Sequence, residues 1–242
     1  DKPTTSDSNN NAKALAALTI AGINITDGRI VIDDRKAKTR YEVSALNITS
    51  GNVLGGEAAP LSISATLNGT DLPTVSTSLN TQLRFNQEQL SIAMNDLALN
   101  VQQASNTLKA TIENIQLNGN NHSASIKQAQ LSGSAEAIPF SLTLPEVTLD
   151  NNKTVVNIPS LSAEALGVKI NGDATLKDWD KDLIASGKIA TQAFNAKSVL
   201  NKLAIDYQPT NTSALNNVSL SSSFSGTPIG ASFKNLKVIL DK

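Results

Sequence analysis

The sequence predicts an all-β, mainly antiparallel protein: a long, curved and bulged sheet forming an open trough or half-barrel, with one short helix. Three observations carry that prediction. Apolar and polar residues alternate with period two, most cleanly over Leu61-Ser62-Ile63-Ser64-Ala65-Thr66-Leu67. A hexad of apolar, two spacers, apolar, one spacer, apolar recurs at Met94–Leu99, Ile112–Leu117, Ile126–Leu131, Leu144–Leu149 and Ile158–Ala163. Its starts lie 18, 14, 18 and 14 residues apart, so two copies make a 32-residue period, the size of a strand pair. Finally, a single segment, Asn195–Ala204, has both a good N-cap and an apolar stripe at helical spacing (Ala196, Val199, Leu200, Leu203).

The hexad has a mechanical meaning. Before it, Leu90, Ile92 and Met94 share one parity; after the doubled spacer, Leu97, Leu99 and Val101 share the other. A one-residue slip turns a strand's side chains over unless a β-bulge absorbs the extra residue. Aligned flips at Asp96, Asn114, Gln128 and Glu146 therefore predict bulges or bends in a line across neighbouring strands. The alternative is a β-sandwich, in which each flip ends one short strand and begins another.

In chain order, residues 1–12 read as a flexible polar lead-in and 13–242 as one β-sheet domain. Leu15–Ile20 fits the hexad, and Ile23, Ile25, Ile30 and Ile32 alternate around a turn or bulge at Asp27-Gly28. Asp33–Lys38 is a charged hairpin tip, Tyr41–Thr49 a strand with the hexad Val43–Ile48, and Gly51–Pro60 a loop. Leu61–Leu67 follows, then Leu79, Leu83 and Phe85, and a turn at Asn86-Gln87-Glu88 leading into Leu90. Beyond the repeat come strands at Val168–Leu176 and Ala185–Phe194, then the helix, with Phe194 and Val199 placed for a hydrophobic staple. A connection at Asp206–Ala214 leads to strands around Val218–Phe224 and Phe233–Leu240, separated by a turn at Gly226-Thr227-Pro228.

Composition narrows the function. The net charge is −1 with scattered cations, so the electrostatic footprint of a nucleic-acid binder is missing. With no cysteine and one histidine, the chain has neither thiol chemistry nor the residues for a His-based triad or a zinc site. No apolar run approaches the roughly 18 residues of a membrane helix, and a start at Asp1 reads as a processed or excised piece. Asp178-Trp179-Asp180-Lys181-Asp182 opens like a calcium loop, yet Leu183 and Ile189 stand where that loop needs Gly and Glu. It reads as a solvated tip, as do His122 and the Asp33-Asp34 pair. Seven Asn-x-Ser/Thr acceptors arise by chance in a chain rich in Asn, Ser and Thr, and Asn24 and Asn47 fall mid-strand. No enzyme and no cofactor are expected.

The C-terminal third carries a resemblance. Gly187-Lys188-Ile189, Phe194-Asn195, Ala196–Leu203, Thr210 through Ala214-Leu215, Val218-Ser219-Leu220, Phe224-Ser225-Gly226 and Phe233–Asp241 follow one another in order. This run resembles the AsmA family of Gram-negative bacteria; Ile30–Asp34, Leu46–Ile48 and Ala59–Ser62 are similar to its preceding segment. The resemblance implies a fragment of a longer envelope protein, periplasmic and tethered to the inner membrane through an anchor that this chain lacks. It also implies kinship with bridge-like lipid-transfer proteins, whose curved sheets conduct phospholipids along an apolar trough. Phospholipid or another acyl lipid is then the expected ligand, and outer-membrane or envelope proteins are further partners.

The trough candidates are Leu61, Ile63, Leu67, Leu79, Leu83, Phe85, Leu90, Ile92, Leu142, Leu144, Leu220 and Phe224, chosen because their strands alternate most cleanly. The alternative function is a structural or interaction module that assists outer-membrane protein assembly by strand or surface docking.

Overall fold

The computed structural model describes residues 22–207, 210–211 and 213–241; the lead-in and the hexad at Leu15–Ile20 lie outside the described residues. Thirteen strands form one sheet in sequence order, each antiparallel to the next. They are β1 (Ile23–Asp34), β2 (Thr39–Ser50), β3 (Ala59–Gly69), β4 (Val75–Asn86), β5 (Ser91–Gln103), β6 (Asn106–Asn118) and β7 (Ser123–Ala135). The remainder are β8 (Ile138–Asp150), β9 (Val155–Ala165), β10 (Val168–Lys177), β11 (Ile184–Thr191), β12 (Val218–Thr227) and β13 (Gly230–Leu240). Between β11 and β12 lies the helix α1 (Ala196–Lys202). Most connections are short, so each strand lies against its predecessor, and the sheet stays open with β1 and β13 as its outer strands. The sandwich alternative is corrected here: among the described residues there is no second sheet, because the parity flips are absorbed within strands instead of ending them.

The flips are bulges. Asp27, Ala45, Asp96, Gln128 and Asn235 all take left-handed backbone, φ 48–55°. In each of the four hexads at Val43, Met94, Ile126 and Phe233 the left-handed residue is the third. Such a residue beside a regular partner is how an extra residue enters a ladder, and Asp and Asn bear that conformation best. Ala45 is held from outside: the Asn47 side-chain amide donates to its carbonyl at 2.9 Å and accepts from Asp27 N at 3.0 Å.

From β5 through β9 the hexads lie side by side, so the register is unbroken; the pairing skips one residue on each strand from β5 to β8 and four on each between β8 and β9. Asn95 pairs with Asn114 and Leu97 with Ile112; Lys127 pairs with Glu146 and Ala129 with Leu144. The skipped residues are Asp96 and Gln128, as the flips indicate, but Glu113 and Pro145 rather than their neighbours Asn114 and Glu146. Pro145, with no N–H, suits an unpaired position inside a strand. Where a hexad strand meets one without the pattern, the register jumps: β2 to β3, β4 to β5, β9 to β10 and β12 to β13.

The 32-residue period also appears at one row of tips. Asn86, Asn118 and Asp150 each accept a backbone N–H three residues on, at 3.0–3.1 Å. Leu90, His122 and Thr154, four residues beyond each, are left-handed, and their carbonyls accept from Gly119, Asn151 and Asp178 at 2.9 Å. His122 and the Asp178–Asp182 run are thus hairpin-tip residues, as read from sequence.

Helix α1 is shorter than predicted. Asn195 caps it, its side chain accepting from Ser198 N at 2.9 Å, and Leu203-Ala204 forms the turn that ends it. Strand β11 stops at Thr191; Phe194 contributes a single bridge to Val218. The connection after the helix is tied down by Asp241, whose carboxylate accepts from Leu215, Asn216 and Asn217 N–H at 2.7, 2.9 and 3.1 Å. These bonds, from Leu215 and Asn217 foremost, hold its pKa below the ordinary carboxylate range. A depressed acid stabilises the fold above its unfolded pKa, and that contribution fades as pH falls through the folded pKa. Protection of the amides of residues 215–217, taken relative to their intrinsic exchange rates, should therefore fall on acidification below the usual carboxylate range. Asp241→Asn should show low protection already at neutral pH; a wild type with pH-independent protection would contradict this role.

Candidate functional site

One face of the sheet is apolar from edge to edge. Register places Ile63, Leu79, Leu99, Ala110, Leu131, Leu142, Ala163 and Ile170 in one row crossing β3 to β10. A parallel row runs Phe85, Ile92, Leu117, Ala124, Leu149, Val156, Leu176, Ala185. Within the ladders of β3 to β13, outside the hexad spacers, no Asp, Glu, Lys or Arg shares this face. Arg84, Lys109, Glu164, Lys169, Lys188 and Lys237 all stand on the other one.

The predicted residues come together here with one exception. Leu61, Ile63 and Leu67 on β3, Leu79, Leu83 and Phe85 on β4, and Ile92 on β5 belong to the apolar face. So do Leu142 and Leu144 on β8 and Leu220 and Phe224 on β12. Leu90 is corrected: it is the left-handed last residue of the β4–β5 turn, 57% exposed, and contributes its carbonyl to the tip ladder. Plain alternation reads through a turn that reverses the chain one residue before the strand starts. Alternation also overlooked the hexad's own apolar positions; Leu97, Ile112, Ala129, Leu131 and Leu161 face the same way.

Among the described residues no layer covers this face, and its side chains shelter one another. Most are half-buried, while their neighbours on the polar face are mostly exposed. Five of the eight buried positions among the described residues lie along the bulge line, Ala65, Thr81, Leu97, Ala129 and Ser222, while Ala59, Ala110 and Val218 are buried away from it. Each of the five lies opposite a left-handed residue or immediately after one. That line, crossing the strands, is the floor of the trough. Bulges add local bend and twist, and a sheet bent toward its apolar side crowds that side and opens the other.

Two floor residues are polar, and the bulges explain them. Thr81, opposite Asp96, donates its hydroxyl to the Asn95 carbonyl at 2.9 Å. Ser222, opposite Asn235, donates to the Lys234 carbonyl at 3.0 Å. In each case a hydroxyl on the regular strand satisfies the carbonyl just before the left-handed residue. The sequence signal is slight: a Thr or Ser in an apolar register position beside a hexad strand. Removing the hydroxyl leaves a buried carbonyl unpaired, so Thr81→Val and Ser222→Ala should each cost about 1–3 kcal/mol in urea unfolding. Loss below a few tenths would show that water takes the hydroxyl's place.

Three aromatic residues of this face lie over glycines. Phe140 pairs with Gly133, Phe224 with Gly187 and Tyr41 with Gly69, and a Cβ on each glycine would meet the partner ring at 2.8–3.0 Å. Each ring thus lies against the bare backbone of its neighbour. Two surface depressions are lined mainly by residues of the polar face. One of about 510 Å³ is lined by Asn171, Asp173, Lys188, Ser221, Ser223 and Asn235, and another of about 540 Å³ by Ala98, Thr111, Glu113, Gln128 and Gln130. Polar pairs there include a two-pronged Arg29–Glu42 contact at 2.7 and 3.0 Å. Among the described residues no helix is long and apolar enough to cross a membrane. No family model, curated protein or solved structure matches the chain.

Proposed function

We propose that the apolar face is a non-enzymatic trough for the acyl chains of phospholipid or another acyl lipid. We further propose that the chain is an AsmA-like segment acting in the periplasm, in lipid transport between inner and outer membranes and in outer-membrane biogenesis. The observation that carries the reading is an apolar face running across thirteen strands, uncovered among the described residues and free of charge from β3 to β13 outside the hexad spacers. At about 4.8 Å per strand it is roughly 58 Å across, far beyond the apolar patches that soluble proteins leave exposed without a use. Leu, Ile, Val and Ala offer acyl chains a smooth surface, and each buried methylene is worth about 0.8 kcal/mol. A headgroup gains nothing on the floor, so it stays at the rim and in water.

The test is direct. Organic extraction of the purified protein should release phospholipid in stoichiometric amounts. Lipid-free protein that also takes up no added acyl lipid would end the proposal. A second reading, docking of envelope proteins during outer-membrane assembly, draws its support from the outer strands β1 and β13, each unpaired on one side among the described residues.

A further inference from the structure

We propose that the β10–β11 and β12–β13 turns form a membrane-touching corner, which sets Trp179 and Ile229 into the interface of a bilayer with a neutral surface. Trp179 is the chain's one tryptophan and stands in the β10–β11 turn, 42% exposed. Lys181 N donates to the Asp178 carbonyl at 3.0 Å and Asp178 N to the Thr154 carbonyl at 2.9 Å, so that turn is fixed in the row of tips. Ile229, in the β12–β13 turn, is 99% exposed, the most of any large apolar residue among the described ones. Both turns lie on one rim, because Lys177 pairs with Ile184, Ala185 with Gly226 and Thr227 with Gly230. Two strand spacings, about 10 Å, separate them. Folding gives no reason for Ile229. The two-residue turn Pro228-Ile229 lacks the Gly, Asn or Asp that such turns favour, and a side chain so exposed packs on nothing. A residue that serves neither turn chemistry nor packing points to a surface outside the fold.

A bilayer fits this corner better than a protein does. An aromatic side chain buries about 150–250 Å², so two separated summits fall far short of the roughly 800 Å² per partner of a stable protein interface. A fluid interface accepts separated points, and tryptophan concentrates at headgroup depth. The charge beside Trp179 selects the surface. Asp178, Asp180 and Asp182 outnumber Lys177 and Lys181, and Thr227, Pro228 and Gly230 add no charge on the neighbouring turn. An anionic surface, which attracts basic segments, repels this one. The strands flanking each turn are all paired in the sheet, so a strand added beyond β13 would widen it and leave both summits uncovered. The contact is independent of what the trough holds.

As the one tryptophan, Trp179 reports its own burial. With phosphatidylcholine vesicles its emission from the full chain should shift to the blue and gain protection from acrylamide, and the protein should float with the vesicles. Ile229→Asp should weaken flotation on the order of tenfold, since a charge must then leave water. Its thermal midpoint should stay that of the wild type, and Ile229→Leu should bind as the wild type does. Adding phosphatidylglycerol to the vesicles should reduce the blue shift, most at low salt. Leu142→Asp, in the trough, should give the wild-type shift, so failure of the lipid trough would leave this result intact. An unshifted emission, full flotation of Ile229→Asp, or a larger shift with phosphatidylglycerol would each overturn the proposal. So would a blue shift without vesicles that grows with protein concentration, because the summits would then meet a second copy.

Discussion

Leu142→Asp and Leu83→Asp should remain folded and soluble yet lose bound acyl lipid. Leu142 pairs with Leu131 and Ala163, and Leu83 with Ala59 and Met94, all on the trough face. In a sealed core a new carboxylate would be buried without a partner, at a cost large enough to unfold a domain of ordinary stability. Here nothing among the described residues lies over the sheet, so water reaches the charge in the lipid-free protein. The loss is confined to cross-strand packing, about 1–2 kcal/mol. An acyl chain cannot desolvate the carboxylate, so occupancy should fall at least about tenfold, for which only 1.4 kcal/mol is needed. Circular dichroism together with extracted lipid per protein reads both effects. Unfolding of both variants would mean a covered face, and folded variants with normal lipid would remove these residues from the site.

A loss of stability as large as that at the buried hydroxyls is expected at two glycines of the trough. A Cβ on Gly133 would overlap the Thr107 carbonyl oxygen and touch the Phe140 ring; on Gly187 it would overlap the Asp173 carbonyl oxygen and touch Phe224. In both places the obstacle is the backbone of the adjoining strand, which cannot step aside without breaking the ladder. Gly133→Ala and Gly187→Ala should each destabilise by about 1–3 kcal/mol, the usual cost of overpacking. Gly226→Ala is the internal control, because its nearest neighbours are the Ala231 Cβ and Gly230 O, both at 3.2 Å. Urea midpoints should place both trough variants well below it. Equal midpoints for all three would show that the strands shift freely.

The fold was legible because its signals are local. Alternation named the strands, and the doubled spacer named the bulge line to within one residue at every flip. It missed by one at Glu113 and Pro145 because only the partner strand decides which of two spacers is left unpaired. The recurring flip favoured one sheet, yet alternation left the sandwich open as an alternative: an apolar face has the same period whether another sheet or a lipid covers it. Helix α1 ran short at Leu203 because a stripe of apolar residues does not register the left-handed turn at Ala204. The trough was half legible. Clean alternation found eleven of the twelve chosen positions, but it admitted Leu90 and passed over Thr81 and Ser222, whose roles exist only across the ladder.

A photoreactive side chain at Leu99, compared with the same group at Asn100, tests the central claim most directly. These neighbours on β5 point to opposite faces, Leu99 toward Leu79 and Ala110, Asn100 toward Ser78 and Lys109. Irradiation in the presence of phospholipid should give a lipid adduct at position 99 and little or none at 100. Equal yields at both positions, or protein–protein adducts alone at 99, would contradict a lipid trough on the apolar face.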